Sequence, residues 1–363
     1  MRPIAFYAPM KPPAHPVPSG DRQIARGLLE LLSDGPSGAE VETVSTLRSH
    51  EKFGSPERQR ALVTQAEDEV ARLIEYGQKA PWSLWVTYHN YYKAPDLIGP
   101  QVSNALGLPY VIFEASRAKK RLSGPWAAFE RRAELACDAA DILFSFTERD
   151  SIALRTAQHD GQSLVRLPPF LLMDRLPRPA TAHSPPKLLT IAMMRDGDKL
   201  ASYRRLAKVL HLLSVNDWML EIIGDGPVEA TVRALFTEFG PRVAFRGALD
   251  RAGVQKALST ASLFLWPGIN EAFGLAYLEA QAAGVPVVAE DRPGVREVVL
   301  AGGLVPAEDP KAYADKVTAL LRDDALRTNA ASAGRRQVER HHLLPAARAV
   351  VWRELAALRG VRP

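Results

Sequence analysis

At 363 residues the chain exceeds one ordinary hydrophobic core, and at about 100 to 200 residues per domain two domains of similar size are predicted. Apolar residues at 47% and charged residues at 24% exclude wholesale disorder, and a formal net charge of +5 suits anionic small molecules or surfaces but is too small for a typical nucleic-acid binder. The single cysteine, Cys137, excludes an intramolecular disulfide and a Cys-rich metal site, so it reads as a buried small hydrophobe in a reducing compartment. With no signal-like N-terminus and no membrane-length apolar run, a cytoplasmic protein is expected.

Short apolar runs at 4–8, 41–44, 84–89, 110–113 and 142–146 alternate with longer amphipathic stretches. That alternation predicts a doubly wound parallel sheet covered by helices on both faces. The pattern restarts with 188–192, 219–223, 243–245, 263–266 and 285–289, which predicts a second such domain. Proline-rich residues 173–186 read as the connection, with domains at 1–180 and 181–343. The tail 344–363 carries helical spacing over 344–358, for a terminal helix packed on one domain or bridging both.

Chemistry-bearing residues cluster where strands end. Pro18-Ser19-Gly20-Asp21-Arg22 follows the first strand and precedes a helical run, offering a helix N-terminus at Gly20 for a phosphate, or a plain helix start capped by Ser19. His89 closes the third strand among tyrosines and reads as the best catalytic histidine, or as a satisfied structural one; Glu114 follows the fourth strand. The basic residues of 117–121, with Arg131 and Arg132, read as solvated surface or as a contact for a phosphate-bearing acceptor or an anionic membrane. Arg195 and Lys199 follow the first strand of the second domain and place two cations where a departing diphosphate needs charge.

The most informative segment is 263–289, read as strand, loop, helix and strand. Pro267-Gly268 ends the strand, a helix starts near Gly274, Gly284 fits a left-handed cap and Pro286 leads into the next strand. The backbone N–H groups of Phe273, Gly274 and Leu275 then face out of a helix N-terminus and suit a diphosphate. Glu271 and Glu279 flank that position; were 271–279 helical throughout, their backbones would lie roughly 12 Å apart, the scale of a ribose-diphosphate-sugar. Read as structure alone, Glu271 is a partner of the helix dipole and Glu279 a solvated helix residue.

This segment resembles the Glu, seven residues, Glu signature of the group 1 (family 4) retaining glycosyltransferases of GT-B fold, with Gly268 and Ala272 replacing the family's usual Ser and Gly. Gly224-Asp225-Gly226-Pro227 is similar to a family turn, and Val243-Ala244-Phe245-Arg246-Gly247 to a loop bordering the nucleotide base. The resemblance implies two facing Rossmann-like domains, the second binding a nucleotide sugar and the first the acceptor, which would be a sugar, a lipid-linked molecule or a small molecule. It assigns Glu271 to the donor sugar and Glu279 to the ribose, makes Gly224, Arg246 and Gly20 donor neighbours, and makes Arg195 and Lys199 the cations that replace a metal. Here three residues separate Arg195 from Lys199 where the family has four, and Glu114 stands where many relatives have His. The implied activity is retaining and metal-independent, needs no cofactor or nucleic acid, and serves cell-surface polysaccharide or glycolipid assembly in the cytoplasm, at the inner face of the membrane. A sugar-nucleotide epimerase and a catalytically silent relative are the alternatives.

Overall fold

The structure, a computed structural model, describes residues 2–16, 20–35, 38, 40–181 and 183–358. The chain divides into two compact units, Met1–Pro168 with Leu344–Pro363, and Pro169–Leu343. The division falls after Pro168 instead of near 180 because the connecting segment is tied to the second unit. Leu171 N–H donates to His342 O (2.7 Å), Arg335 to Pro177 O (3.0 Å) and Ala180 N–H to Ala283 O (2.7 Å).

The first unit runs β1 (Ile4–Tyr7), α1 (Gly20–Ser33), β2 (Val41–Ser45), α2 (Pro56–Lys79), β3 (Leu84–Asn90), α3 (Gly99–Leu106), β4 (Tyr110–Ala115), α4 (Ala127–Ala139), β5 (Ile142–Ser145), α5 (Glu148–Arg155) and β6 (Ser163–Arg166). The second runs β7 (Lys187–Ile191), α6 (Asp198–His211), β8 (Met219–Ile223), α7 (Glu229–Leu235), β9 (Val243–Phe245), α8 (Arg251–Leu258), β10 (Leu263–Leu265), α9 (Leu275–Ala282), β11 (Val287–Glu290), β12 (Leu304–Val305), α10 (Pro310–Arg322) and α11 (Asp324–His341); α12 (Leu344–Leu355) belongs again to the first unit.

Both sheets have six parallel strands, ordered β2-β1-β3-β4-β5-β6 and β12-β11-β10-β7-β8-β9. Central strands such as β1 and β5 are buried along their whole length, which is why they read as unbroken apolar runs. Each sheet reverses its winding at one place: between β1 and β3 in the first unit, and between β7 and β10 in the second. Loops diverge to opposite faces there and leave a crevice at the strands' carboxyl ends, where doubly wound sheets bind ligands.

Candidate functional site

In the second unit the loops leaving β7 and β10 meet at this reversal. Lys199, in the first turn of α6, donates to Glu271 Oε1, and Trp266 Nε1 donates to the same oxygen at 2.9 Å. The Lys199 ammonium also lies 5.6 Å from the centre of the Trp266 ring. Two further bonds lock the loop onto α6: Ile269 N–H to Ser202 Oγ (3.1 Å) and Asn270 Nδ2 to Asp198 Oδ2 (3.0 Å). Sequence spacing put Lys199 and Glu271 in separate motifs; the sheet joins them. Arg195 is exposed in the loop before α6 and makes no ion pair among the described residues.

Helix α9 starts at Leu275, so 271–274 is loop and the fully helical spacing between Glu271 and Glu279 does not apply. Gly274 is the N-cap, left-handed at φ 81°, and no side chain caps the helix. The first-turn N–H groups of a helix have no acceptor within it, so this end presents donors beside the Lys199–Glu271 pair. Phe273 and Leu275 bury their side chains, which pins the loop, and Glu279 is half-buried one turn further along. Gly224 (φ 139°) is required by close approach: a Cβ there would lie 2.0 Å from Ala192 O. The turn it opens is tied to the loop after β7, since Met194 N–H donates to Asp225 O at 2.7 Å.

Sequence reading missed Gly294. A Cβ on it would lie 2.1 Å from both Glu271 O and Ala272 O, so the turn after β11 packs directly on the Glu271 backbone. Only a glycine fits, and the signal lay in Pro293-Gly294 itself. Arg246 needs a correction. Its guanidinium donates to Glu221 Oε1 at 2.6 Å, and Glu221 also holds Lys187 at 2.9 Å, so the side chain reaches back to the middle of β8 and the start of β7, away from the carboxyl ends.

In the first unit the ends of β3 and β4 carry a second cluster. His89 (φ 69°) and Glu114 (φ 58°) face each other in a register running from Tyr88↔Phe113 to Asn90↔Ala115, and both are left-handed. His89 Nδ1 lies 3.4 Å from Asp21 Oδ1 and 3.7 Å from Glu114 Oε2. Burial opposes the charged imidazole, but the Glu114 and Asp21 carboxylates outweigh it and raise its pKa to about 9. Burial raises Glu114 to about 7, against the pull of His89. Buried Asp96 fixes this strand end, accepting from Thr87 Oγ1 (2.5 Å), Tyr110 OH (2.7 Å) and Gly99 N–H (2.7 Å).

Gly20 is the first residue of α1, exposed, and followed by Asp21. The Asp21 carboxylate occupies the first turn of that helix and weighs against a diphosphate there; Ser19 lies outside the described residues. Within the basic run Arg117 is buried against Asp138 (2.5 Å), whereas Lys119 and Lys120 are exposed. Among the described residues no group of three His, Cys, Asp or Glu is placed to hold a metal ion, and no helix is long and apolar enough to cross a membrane.

Residues 181–337 match the family model described as glycosyl transferases group 1. Among curated proteins, a phosphatidyl-myo-inositol mannosyltransferase of Mycobacterium leprae is 39% identical over 130 residues, 35% of this chain and 34% of that protein. A GDP-mannose-dependent monoacylated alpha-(1-6)-phosphatidylinositol monomannoside mannosyltransferase of Corynebacterium glutamicum is 36% identical over 132 residues, 34% of this chain and 35% of that protein. The matches thus span about a third of the length of these relatives. Solved structures align over nearly the whole chain. Sucrose-phosphate synthase from Thermosynechococcus elongatus superposes with TM-score 0.70 at 20% identity, covering 98% of this chain and all of that one (100%). Anabaena HepE in complex with UDP gives TM-score 0.72 at 16% identity, with coverage of 98% and 100%. The fold is GT-B.

Proposed function

We propose that this protein is a nucleotide-sugar-dependent glycosyltransferase that transfers a sugar with retention and without a metal. The observation that carries it is the Lys199–Glu271–Trp266 cluster beside the uncapped N-terminus of α9, at the winding reversal of the family-matched unit. Both bonds to Glu271 fall on Oε1, and Oε2 has no hydrogen-bond partner among the described residues, so it is the oxygen that takes a donor-sugar hydroxyl. The α9 N–H groups of Gly274 and Leu275 hold the diphosphate, Glu279 the ribose, and Arg195 with Lys199 supplies the positive charge that stabilises the departing phosphate. The bond from anomeric carbon to diphosphate oxygen breaks as the acceptor oxygen bonds on the same face, and the acceptor proton passes to the departing phosphate.

The acceptor belongs to the first unit, where Asp21, His89 and Glu114 form a hydrogen-bonding set suited to a polyol. The phosphatidylinositol acceptors in the relatives' names support a lipid-linked polyol and glycolipid assembly. A peripheral anionic-membrane contact is part of the reading: Lys52 and a 75% exposed Phe53 present an amphipathic tip, and Gln59, in the first turn of the α2 helix that follows, bonds Pro125 O (2.8 Å), close in sequence to Lys119 and Lys120. Sedimentation with anionic vesicles that is unchanged in K119E/K120E would remove that part.

Calorimetric titration of UDP, GDP and ADP in EDTA, on wild type and Glu279→Ala, tests the donor site. Selective binding by the wild type, weakened at least about tenfold in the variant by loss of a charge-assisted bond, is expected. Folded wild type with no affinity for any of the three would refute the reading.

A further inference from the structure

Helix α6 makes three successive polar contacts from residues three apart. Lys199 bonds Glu271, Ser202 Oγ accepts from Ile269 N–H (3.1 Å), and Arg205 Nη1 donates to Glu290 Oε1 (2.8 Å). A step of three residues turns about 60° short of a full rotation, so the stripe drifts from the loop after β10 to the end of the adjacent strand β11. Glu290 is fully buried, its side chain 1% exposed, and its other carboxylate oxygen takes Arg292 Nε (2.8 Å) and Nη2 (2.5 Å). Two residues beyond Arg292, Gly294 abuts the carbonyls of Glu271 and Ala272. Glu290 N–H in turn donates to Pro267 O (3.2 Å), at the start of the same loop.

These contacts close a ring. It runs from Lys199 to Glu271, through its backbone to Gly294, back to Arg292, across Glu290 to Arg205, and along α6 to Lys199. Taking one partner from a carboxylate buried this deeply is strongly destabilising, so the two arginines fix the Glu290 carboxylate between α6 and the turn after β11. We propose that Arg205 and Glu290 are positioning residues that set the Glu271 loop, and with it the carboxylate, without touching the donor. The inference rests on the glycosyltransferase reading, in which Glu271 meets the transferred sugar.

Removing Arg205 leaves Glu290 to Arg292 alone and releases α6 from β11, so the loss should appear in 267–273. Three variants test it: Arg205→Met, the charge-preserving Arg205→Lys, and Ser202→Ala, which removes only the hydroxyl bonded to Ile269. Amide hydrogen exchange over 267–273 should rise about tenfold in Arg205→Met, and the Ile269 amide should exchange faster in Ser202→Ala. Turnover should show kcat lowered about 10- to 100-fold in Arg205→Met, the cost of a misplaced group, with the donor KM within about threefold and part of kcat restored in Arg205→Lys. A merely structural ion pair would lower the melting temperature while leaving exchange in 267–273 and kcat of the folded fraction unchanged; that result overturns the proposal. Should Arg205→Met fail to fold, Arg205→Lys carries the test, and unchanged exchange over 267–273 with unchanged kcat overturns the proposal as well. A wild type with neither nucleotide affinity nor turnover would remove the glycosyltransferase reading and this inference together, whereas an active wild type with unaffected variants removes the inference alone.

Discussion

His89 and Glu114 hold left-handed backbones on adjacent strands, a conformation that costs of order 1 to 3 kcal/mol for each non-glycine residue. Both also bind protons more tightly in the fold than their reference values of 6.5 and 4.5. For His89 the proton-linked stabilisation is complete below 6.5 and is lost as pH rises through about 9; for Glu114 it is complete below 4.5 and lost through about 7. The first unit should therefore lose stability as the pH climbs from about 5 to 9. Glu114→Gln removes the larger of the charges holding the His89 proton, so the imidazole should titrate well below 9 in that variant. An NMR titration of His89 in wild type and variant reads this directly, and an unmoved midpoint would contradict the proposed coupling. The sequence marked His89 and Glu114 as separate strand-end candidates but not Asp21, because its partner lies 68 positions away (89 − 21) and only the sheet order β1-β3-β4 brings the three together.

Among the elements, ten of the strands were legible as short apolar runs, while β6 and β12 were not. Ser163–Arg166 has only two apolar residues between Ser163 and Arg166, and Leu304–Val305 is two residues long, so neither carries a run long enough to read as a strand. Arg246 shows a related blind spot. Its place after β9 was readable, but its partner Glu221 sits on β8, and pairing across strands depends on register. Because Arg246 is spent on Glu221 and is itself 56% exposed, Arg246→Ala should lower stability by only about 1 kcal/mol, a melting shift of about 2 to 4 °C for a unit of this size. Nucleoside diphosphate affinity should stay within about twofold, since the lost interaction is a half-exposed ion pair between Arg246 and Glu221 of about that strength. Calorimetry showing a tenfold loss of nucleotide affinity would return Arg246 to the donor site. The Glu271–Glu279 segment was legible because one continuous stretch carries its strand end, glycine turn and helix; the Lys199 and Gly294 contacts were not, since they come from other loops.

At the scale of the whole chain, the backbone leaves the first unit after Pro168 and returns to it at Leu344. The periodicity of the tail left open which domain it joins, and the answer depends on a tertiary socket. Trp352 Nε1 donates to Leu31 O (3.1 Å), Arg348 pairs with Asp34 (2.7 Å), and Gly35 makes room for the indole, since a Cβ there would lie 1.8 Å from a ring atom. The last helix thus completes the packing of α1, the helix that carries Asp21, and the first unit is discontinuous in sequence. Trp352 is 6% exposed, and its replacement by Ala should cost about 3 to 5 kcal/mol, the usual range for emptying a buried aromatic site. That loss belongs to one unit. Scanning calorimetry of Trp352→Ala should lower the transition assigned to the first unit, identified by its sensitivity to Glu114→Gln. The transition that shifts upward with nucleoside diphosphate should keep its midpoint, because Glu271, Gly274 and Lys199 fold around a separate sheet. An equal fall in both transitions would mean that the two units unfold as one cooperative body, and that the tail stabilises the whole chain and not α1 alone.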